Sequence, residues 1–225
     1  MIENTASAFT TAIAGNFGIE TDLQISADGE AMVHHDDSLG RLTDGNGRLA
    51  TMSAAELKAV RFTATADRIL TLAELCELVA GRAALVLELK SRFDGDLRLA
   101  LRAAAVLARY SGPVAVMSFD PALVEAVRLI APGLTRGIVA ERHYADHEWD
   151  RMPALRKWRL AWLLHAPRTR PQFVAYGVKD LPAIAPLAAR WVFGLPLLTW
   201  TVRNEGDRKK SKSWADQAIF EGSSP

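Results

Sequence analysis

The stretch GIETDLQISADGEAMVHHDD, residues 18–37, decides both how this chain folds and where its chemistry lies. In a strand, residues i and i+2 point to the same face. Glu20 and Asp22 therefore form a carboxylate pair on one side of a sheet. Asp-Gly between two strand-like runs is a strong hairpin signal. With Asp28 and Gly29 as a two-residue loop, Ala27 faces Glu30, and counting back sets Asp22 opposite His35. The spacing predicts that two acids and an imidazole converge.

Working outward, 225 residues suit one domain, 1–225, and α/β barrels reach this size. Hydrophobic residues make up 49%, enough for a substantial core. Lys plus Arg number 27 against 26 Asp plus Glu, so net charge points to neither nucleic acid nor a membrane. One cysteine, Cys76, excludes an internal disulfide framework and fits a reducing compartment. It lies in the helical pattern LTLAELCELVA and reads as a packed thiol rather than a nucleophile. No apolar run is long enough to span a bilayer, and the N-terminus lacks a signal-peptide pattern. These features predict a soluble, cytoplasmic protein.

Short apolar runs alternate with helical patterns along the chain. ENTASAFTTAIAG carries cap-type residues Asn4 and Thr5 and stops at Gly15; MSAAELKAV and LTLAELCELVAG also read as helices. DLRLALRAAAVLARY and DPALVEAVRLIA follow, the latter with Asp120 as N-cap and Pro121 behind it. HEWDRMPALRKWRLAWLLHA reads as one helical stretch, apolar-rich in its second half, and LPAIAPLAARWVF as another helix. NEGDRKKSKSWA is a polar helix or loop whose RKKSK run reads as a solvated face. Apart from the hairpin's return strand, seven strands are expected, near residues 17–25, 84–90, 113–118, 135–140, 173–178, 196–202 and 217–221. Strand-helix alternation of this kind predicts a parallel sheet with helical crossovers. Seven strands are one short of a closed TIM (β/α)8 barrel, and the chain opens on a helix. A barrel missing its first strand, with a hairpin excursion after the second barrel strand, accounts for both.

In such a barrel the active groups stand at the C-terminal ends of strands. Glu20 and Asp22 fit that position, as do Glu88 and Lys90 of LELK, which again share a face. Three carboxylates make an all-oxygen site suited to a hard divalent cation, Mg²⁺ or Ca²⁺, whereas zinc would want nitrogen or sulfur. Lys90 beside them suggests an anionic substrate, and His35 could move protons at neutral pH. Metal, lysine and imidazole together suit phosphoryl chemistry. Spacing alone leaves the alternative open that these are solvated charges at strand ends.

The ordered series ENT…AF, GIETDLQISADG, VHHDDSLGRLT, LELK, MSFD and LTWTV resembles the glycerophosphodiester phosphodiesterase family, from Glu3 to the end of the chain. The joint Glu-x-Asp, Asp-Gly and His-Asp-x-x-Leu-x-Arg-x-Thr block is what makes the resemblance specific. It implies a TIM barrel that hydrolyses glycerophosphodiesters to sn-glycerol 3-phosphate and an alcohol with a divalent metal. By motif position, Glu20, Asp22 and Glu88 resemble the metal ligands, His35 one of two catalytic histidines, and Lys90 a phosphate-contacting lysine. Glu3 resembles the acid of the family's Glu-Asn-Thr segment at the active-site rim. Trp200 resembles the aromatic of the seventh barrel strand, against which glycerol packs.

The family pattern also has a strand ending in His-Arg-Gly upstream of Glu-Asn-Thr, which supplies the other histidine and an arginine for the phosphate. This chain begins Met1-Ile2-Glu3, so those residues are expected to be lacking and the two flanking sheet edges open to self-association. None of the other histidines reads as a substitute. His34 alternates to the opposite face from His35, His143 and His147 lie in a polar segment, and His165 reads as a core histidine near a helix end. Two functional expectations follow: a phosphodiesterase, with His35 as acid or base, or a metal- and phosphate-binding relic without full catalysis. The expected partner is a small-molecule glycerophosphodiester, not nucleic acid, with no stable membrane insertion. A phospholipid-directed relative is disfavoured because no long apolar or basic membrane-facing segment stands out.

Overall fold

The hairpin of residues 18–37 forms, but its loop holds three residues rather than two. A computed structural model describes residues 1–146 and 149–222. In it β1 (Ile19–Ile25) pairs antiparallel with β2 (Ala31–Val33) in the register Leu23–Val33, Gln24–Met32 and Ile25–Ala31. The Ser26 N–H donates to the Glu30 carbonyl at 2.9 Å, so Ala27, Asp28 and Gly29 make the loop, with Gly29 at φ 85°. The extra residue is fixed from outside the hairpin. The Ala27 N–H is drawn to the Met52 carbonyl at 2.8 Å, and the Asp28 carboxylate accepts the Ala54 N–H at 3.0 Å. A shift of one residue exchanges the faces of a strand. Asp22 consequently stands opposite His34, whose N–H donates to the Asp22 carbonyl at 3.0 Å, and the expected pairing with His35 is corrected.

By its internal contacts the chain divides into two units, Met1–Ser118 with Ala126–Thr135, and Phe119–Glu125 with Arg136–Pro225. In the first, the strand order is β2-β1-β3-β4, with β3 (Leu85–Leu89) and β4 (Val114–Ser118) parallel to β1. The β1–β3 register aligns Glu20 with Val86 and Asp22 with Glu88, so the acids share a face. On the opposite face Leu23, Leu85, Leu87 and Leu89 are buried. Three helices of this unit start on side-chain caps: α1 (Ala6–Ala14) on Thr5, as the sequence predicts, α2 (Ala54–Ala59) on Ser53 and α3 (Leu72–Val79) on Thr71. The last two close capping boxes with Glu56 and Glu74. Helix α4 (Arg98–Leu107) follows β3. Residues 34–70 wrap over Met32, burying Leu39, Leu49, Leu57, Phe62 and Ile69 in a second core.

The second unit is a parallel run of β5 (Thr135–Ala140), β6 (Phe173–Gly177), β7 (Leu197–Val202) and β8 (Gln217–Phe220). Ile138, Val174, Tyr176 and Leu197 form its core with Val124 and Leu163. Helix α5 (Pro121–Ile130), capped by Asp120, has residues in both units. Of the stretch expected as one helix over residues 147–166, α6 (Ala154–Ala161) is helical, and a separate short helix α7 (Ala166–Thr169) begins at its end. The break lies at Leu163, which adopts φ 54° while its side chain enters the core. His147, expected in a polar loop, lies outside the described residues. Helix α8 (Ile184–Trp191) precedes β7, and α9 (Glu205–Trp214) makes the RKKSK run helical, started by Asn204. Among the described residues no helix is long and apolar enough to cross a membrane.

Candidate active site

Strands β1 and β3 deliver the expected carboxylates to one place. Glu20, Asp22 and Glu88 each offer an oxygen, and these oxygens lie within 4.8 Å of one another. Lys90 follows directly after β3, its N–H held by the Leu23 carbonyl at 3.0 Å. Its Nζ reaches back between two of the acids, 3.0 Å from Asp22 Oδ1 and 2.9 Å from Glu88 Oε1. Three carboxylates thus share one ammonium, which leaves negative charge unbalanced. Burial raises the pKa of Glu20 well above the usual carboxylate range, and repulsion from Asp22 and Glu88 adds to it. Burial raises Glu88 too, with Lys90 opposing and Asp22 reinforcing the shift. Burial works against the Lys90 ammonium, yet Glu88 and Asp22 outweigh it and push the lysine above its ordinary value.

Asn4 is the residue that holds Asp22 in place. Its Nδ2 donates to Asp22 Oδ2 at 3.1 Å, leaving Oδ1 for Lys90, and its Oδ1 accepts the Asp22 N–H at 3.4 Å and the Thr21 hydroxyl. Asn4 is buried and sits at φ 57°, a left-handed conformation that Asn tolerates better than most residues. Thr5 follows as the N-cap of α1, so the helix start fixes the asparagine against β1.

His35 belongs to a second chain of contacts. Its Nδ1 lies 2.7 Å from Asp36 Oδ1. Asp36 is gripped by the Arg41 fork, Nε to Oδ2 at 2.6 Å and Nη2 to Oδ1 at 3.0 Å, and the same Arg41 Nη2 pairs with Glu3. Burial raises the Asp36 carboxyl, but hydrogen bonds from Arg41 and His35 overcome it and hold the group below its ordinary pKa. An ionised Asp36 accepts a proton-bearing Nδ1 and leaves Nε2 as the His35 atom free for substrate. The two clusters feel each other, since His35 lowers the pKa of Glu88 and Glu3 raises that of Glu20.

Glu3, Glu20, Asp22, His35, Glu88 and Lys90 all lie in the first unit. Glu3, expected at the active-site rim, is tied to Arg41. Trp200 lies in the second unit, on β7, where its ring meets Phe119 edge-on at 5.5 Å and its buried Nε1 has no hydrogen-bond partner among the described residues. His34 is buried and its pKa lowered by burial; His143 is exposed, 3.8 Å from Asp180. His165 is pushed down to about 4 by burial. The sequence pattern marks Asn4 only as a cap-type residue and gives Asp36 and Arg41 no site role. Asp36 and Arg41 stand inside the quoted His-Asp-x-x-Leu-x-Arg block, so their signal was present.

The glycerophosphoryl diester phosphodiesterase family model matches residues 1–222. A glycerophosphodiester phosphodiesterase of Caldanaerobacter subterraneus subsp. tengcongensis is 26% identical over 92% of this chain and 83% of its own length. Among solved structures, a phosphodiesterase of Oleispira antarctica in complex with the product sn-glycerol-3-phosphate aligns with a TM-score of 0.80 at 21% identity, over 96% of this chain and 86% of that one. A glycerophosphodiester phosphodiesterase of Thermotoga maritima aligns at 0.72 and 21% identity, over 98% and 88%. The α/β, TIM-barrel-type fold expected from the strand-helix alternation is thereby shown. This chain belongs to the glycerophosphoryl diester phosphodiesterase family.

Proposed function

We propose that this chain hydrolyses glycerophosphodiesters to sn-glycerol 3-phosphate and an alcohol, with a divalent metal held by Glu20, Asp22 and Glu88. The observation that carries the reading is the carboxylate cluster with Lys90 in it, next to the His35–Asp36–Arg41 chain. The residues fit a hard cation: the donors are all oxygen, and Glu20 and Glu88 have pKa values raised by burial and mutual repulsion that a cation would relieve. Mg²⁺ and Ca²⁺ are the ions proposed. When bound, such an ion would offset phosphate charge and acidify an attacking oxygen.

Hydrolysis forms one P–O bond to the nucleophile and breaks the P–O bond to the alcohol, and a proton moves from the first oxygen to the second. His35 Nε2 handles a proton at one of these oxygens, with Asp36 holding the ring's tautomer. Lys90, kept charged by Asp22 and Glu88, contacts the phosphate. Glu3 fastens Arg41, and through it Asp36, at the edge of this arrangement. Trp200 is assigned glycerol packing on its place in LTWTV. Residues 1–225 are taken as one catalytic domain in the cytoplasm; the family match over 1–222 supports the first and the lone, buried Cys76 agrees with the second.

The test is steady-state turnover of glycerophosphocholine and glycerophosphoethanolamine. His35→Ala should lower kcat by roughly 10²–10⁴-fold, and Lys90→Ala should raise KM as well. A His35→Ala enzyme as fast as wild type would remove the reading. A second reading, metal and phosphate binding without turnover, is favoured by His34, since burial withholds that neighbouring imidazole from substrate. Calorimetric binding of sn-glycerol 3-phosphate by a chain that turns nothing over would select it.

A further inference from the structure

Helix α6 and the residues on either side of it carry a surface that the proposed chemistry does not use. Residues 151–170 contain six Lys or Arg and no Asp or Glu. The chain's 27 cations less these six face all 26 acids, so a near-neutral total hides a local positive excess. Within the second unit, α6 buries Leu160 and Ala161, and Leu163 after it enters the core. Outside remain Leu155, 66% exposed, Trp158, 51%, Trp162, 44%, and Leu164, 49%. Leu155, Trp158 and Trp162 recur at helical spacing and form one stripe. Arg151 before the helix, Arg156 and Arg159 on it, and Arg168 and Arg170 after it are also exposed. Arg168 is taken by Glu125, and Lys157 donates to the Tyr144 carbonyl at 2.9 Å. Among the described residues, Arg151, Arg159 and Arg170 have no ion-pair partner.

Exposed indoles and leucines interleaved with unpaired arginines are costly in water and suit a headgroup boundary. Trp places its ring there, and each cation gains from a negative surface. We propose that this face docks the protein peripherally on an anionic lipid bilayer, with Trp158 and Trp162 at the headgroup level and Arg151, Arg159 and Arg170 over the lipid charges. Charge decides the occupant. Two copies of the face would set Arg151, Arg159 and Arg170 against their own kind, with no Asp or Glu within residues 151–170 to receive them. The helix has 8 residues, about 12 Å, which allows it to lie in the interface and not to cross. Docking of this kind would hold the enzyme where deacylation of phospholipids releases glycerophosphodiesters, but the surface itself is argued independently of the catalytic reading.

The experiment is flotation of the purified chain with phosphatidylcholine vesicles and with vesicles of equal parts phosphatidylcholine and phosphatidylglycerol, at low and high salt. Expected are binding to the anionic vesicles alone, loss of binding at high salt, and a blue shift of tryptophan emission. Arg151→Gln with Arg159→Gln should weaken vesicle binding roughly 25-fold, and Trp158→Ala with Trp162→Ala should abolish the blue shift. Both pairs should keep the wild-type melting temperature and turnover of soluble substrate. Equal binding to neutral vesicles, wild-type binding by the arginine variant, or an emission unchanged by vesicles would overturn the proposal. So would a dimer in sedimentation equilibrium that Trp158→Ala with Trp162→Ala dissolves.

Discussion

Replacing Asp36 by Asn is the substitution that separates shape from charge at His35. The side chain keeps its size, but one oxygen becomes an NH₂ group. If that group takes the Oδ2 position, it faces Arg41 Nε, a donor, across the 2.6 Å that now spans a hydrogen bond. If it takes the Oδ1 position, it meets Arg41 Nη2 at 3.0 Å and His35 Nδ1 at 2.7 Å. Both orientations set a donor against the arginine, and the second presents N–H to His35, moving the ring proton to Nε2. The catalytic nitrogen is then blocked as a base, and an imidazolium has lost its counter-charge. The expected loss is on the order of 10²–10⁴ in kcat, the range for a disabled acid-base group. The fold should survive, since Arg41 and Asp36 are partly exposed and such pairs add little stability. The assay is kcat and KM across pH, with nitrogen-15 NMR of the His35 ring to read the tautomer. Replacing Arg41 by Ala in the Asp36→Asn chain removes the opposing donor and should return part of the lost rate. An Asp36→Asn chain with wild-type kcat and an unmoved ring spectrum would refute the reasoning.

Chelated protein should be more stable as pH falls from neutrality toward the ordinary Glu value of 4.5, because Glu20 and Glu88 have folded pKa values raised above it and bind protons first in the folded state. Mg²⁺ or Ca²⁺ should raise the melting temperature at neutral pH, and Glu20→Gln with Asp22→Asn should remove the metal response and shrink the pH response to what buried Glu88 contributes; calorimetry at several pH values checks this. Below that window Asp36, Asp67, Glu56 and Glu74, whose pKa values are depressed, lose their stabilising charge, so stability should fall again on further acidification. Asn4→Gly keeps the left-handed backbone at φ 57° but frees Asp22 and leaves its buried N–H unpaired, which should cost about 1–3 kcal/mol, seen as a lower denaturant midpoint. The same variant should bind metal more weakly, by about 10–100-fold in titration calorimetry.

The carboxylate cluster was legible because a strand repeats every two residues. Glu20 with Asp22, and Glu88 with Lys90, needed only a parallel neighbour in register to meet, and the β1–β3 pairing supplies it. Helix starts at Thr5 and Asp120 were legible for a similar reason, since capping is local. The hairpin register was not. Its third loop residue is held by Met52 and Ala54, and nothing within residues 18–37 announces those contacts. The local pattern marks Asn4 as a cap-type residue, while its place against Thr21 and Asp22 depends on where α1 docks on β1. The break after α6 was hidden because Leu163 fits a helical pattern, and only burial in the core explains its left-handed turn. The basic, aromatic face of α6 is masked at the level of composition, because the total charge of the chain is only +1.

The central claim, that Glu20, Asp22 and Glu88 hold a metal beside His35 for diester hydrolysis, is tested most directly by phosphorus-31 NMR of glycerophosphocholine mixed with the purified chain. With Mg²⁺ or Ca²⁺ the diester signal should give way to sn-glycerol 3-phosphate, and chelator, Glu20→Gln with Asp22→Asn, or His35→Ala should each halt the conversion. A diester signal that persists with either metal, or conversion that continues at the same rate in chelator, would contradict the account.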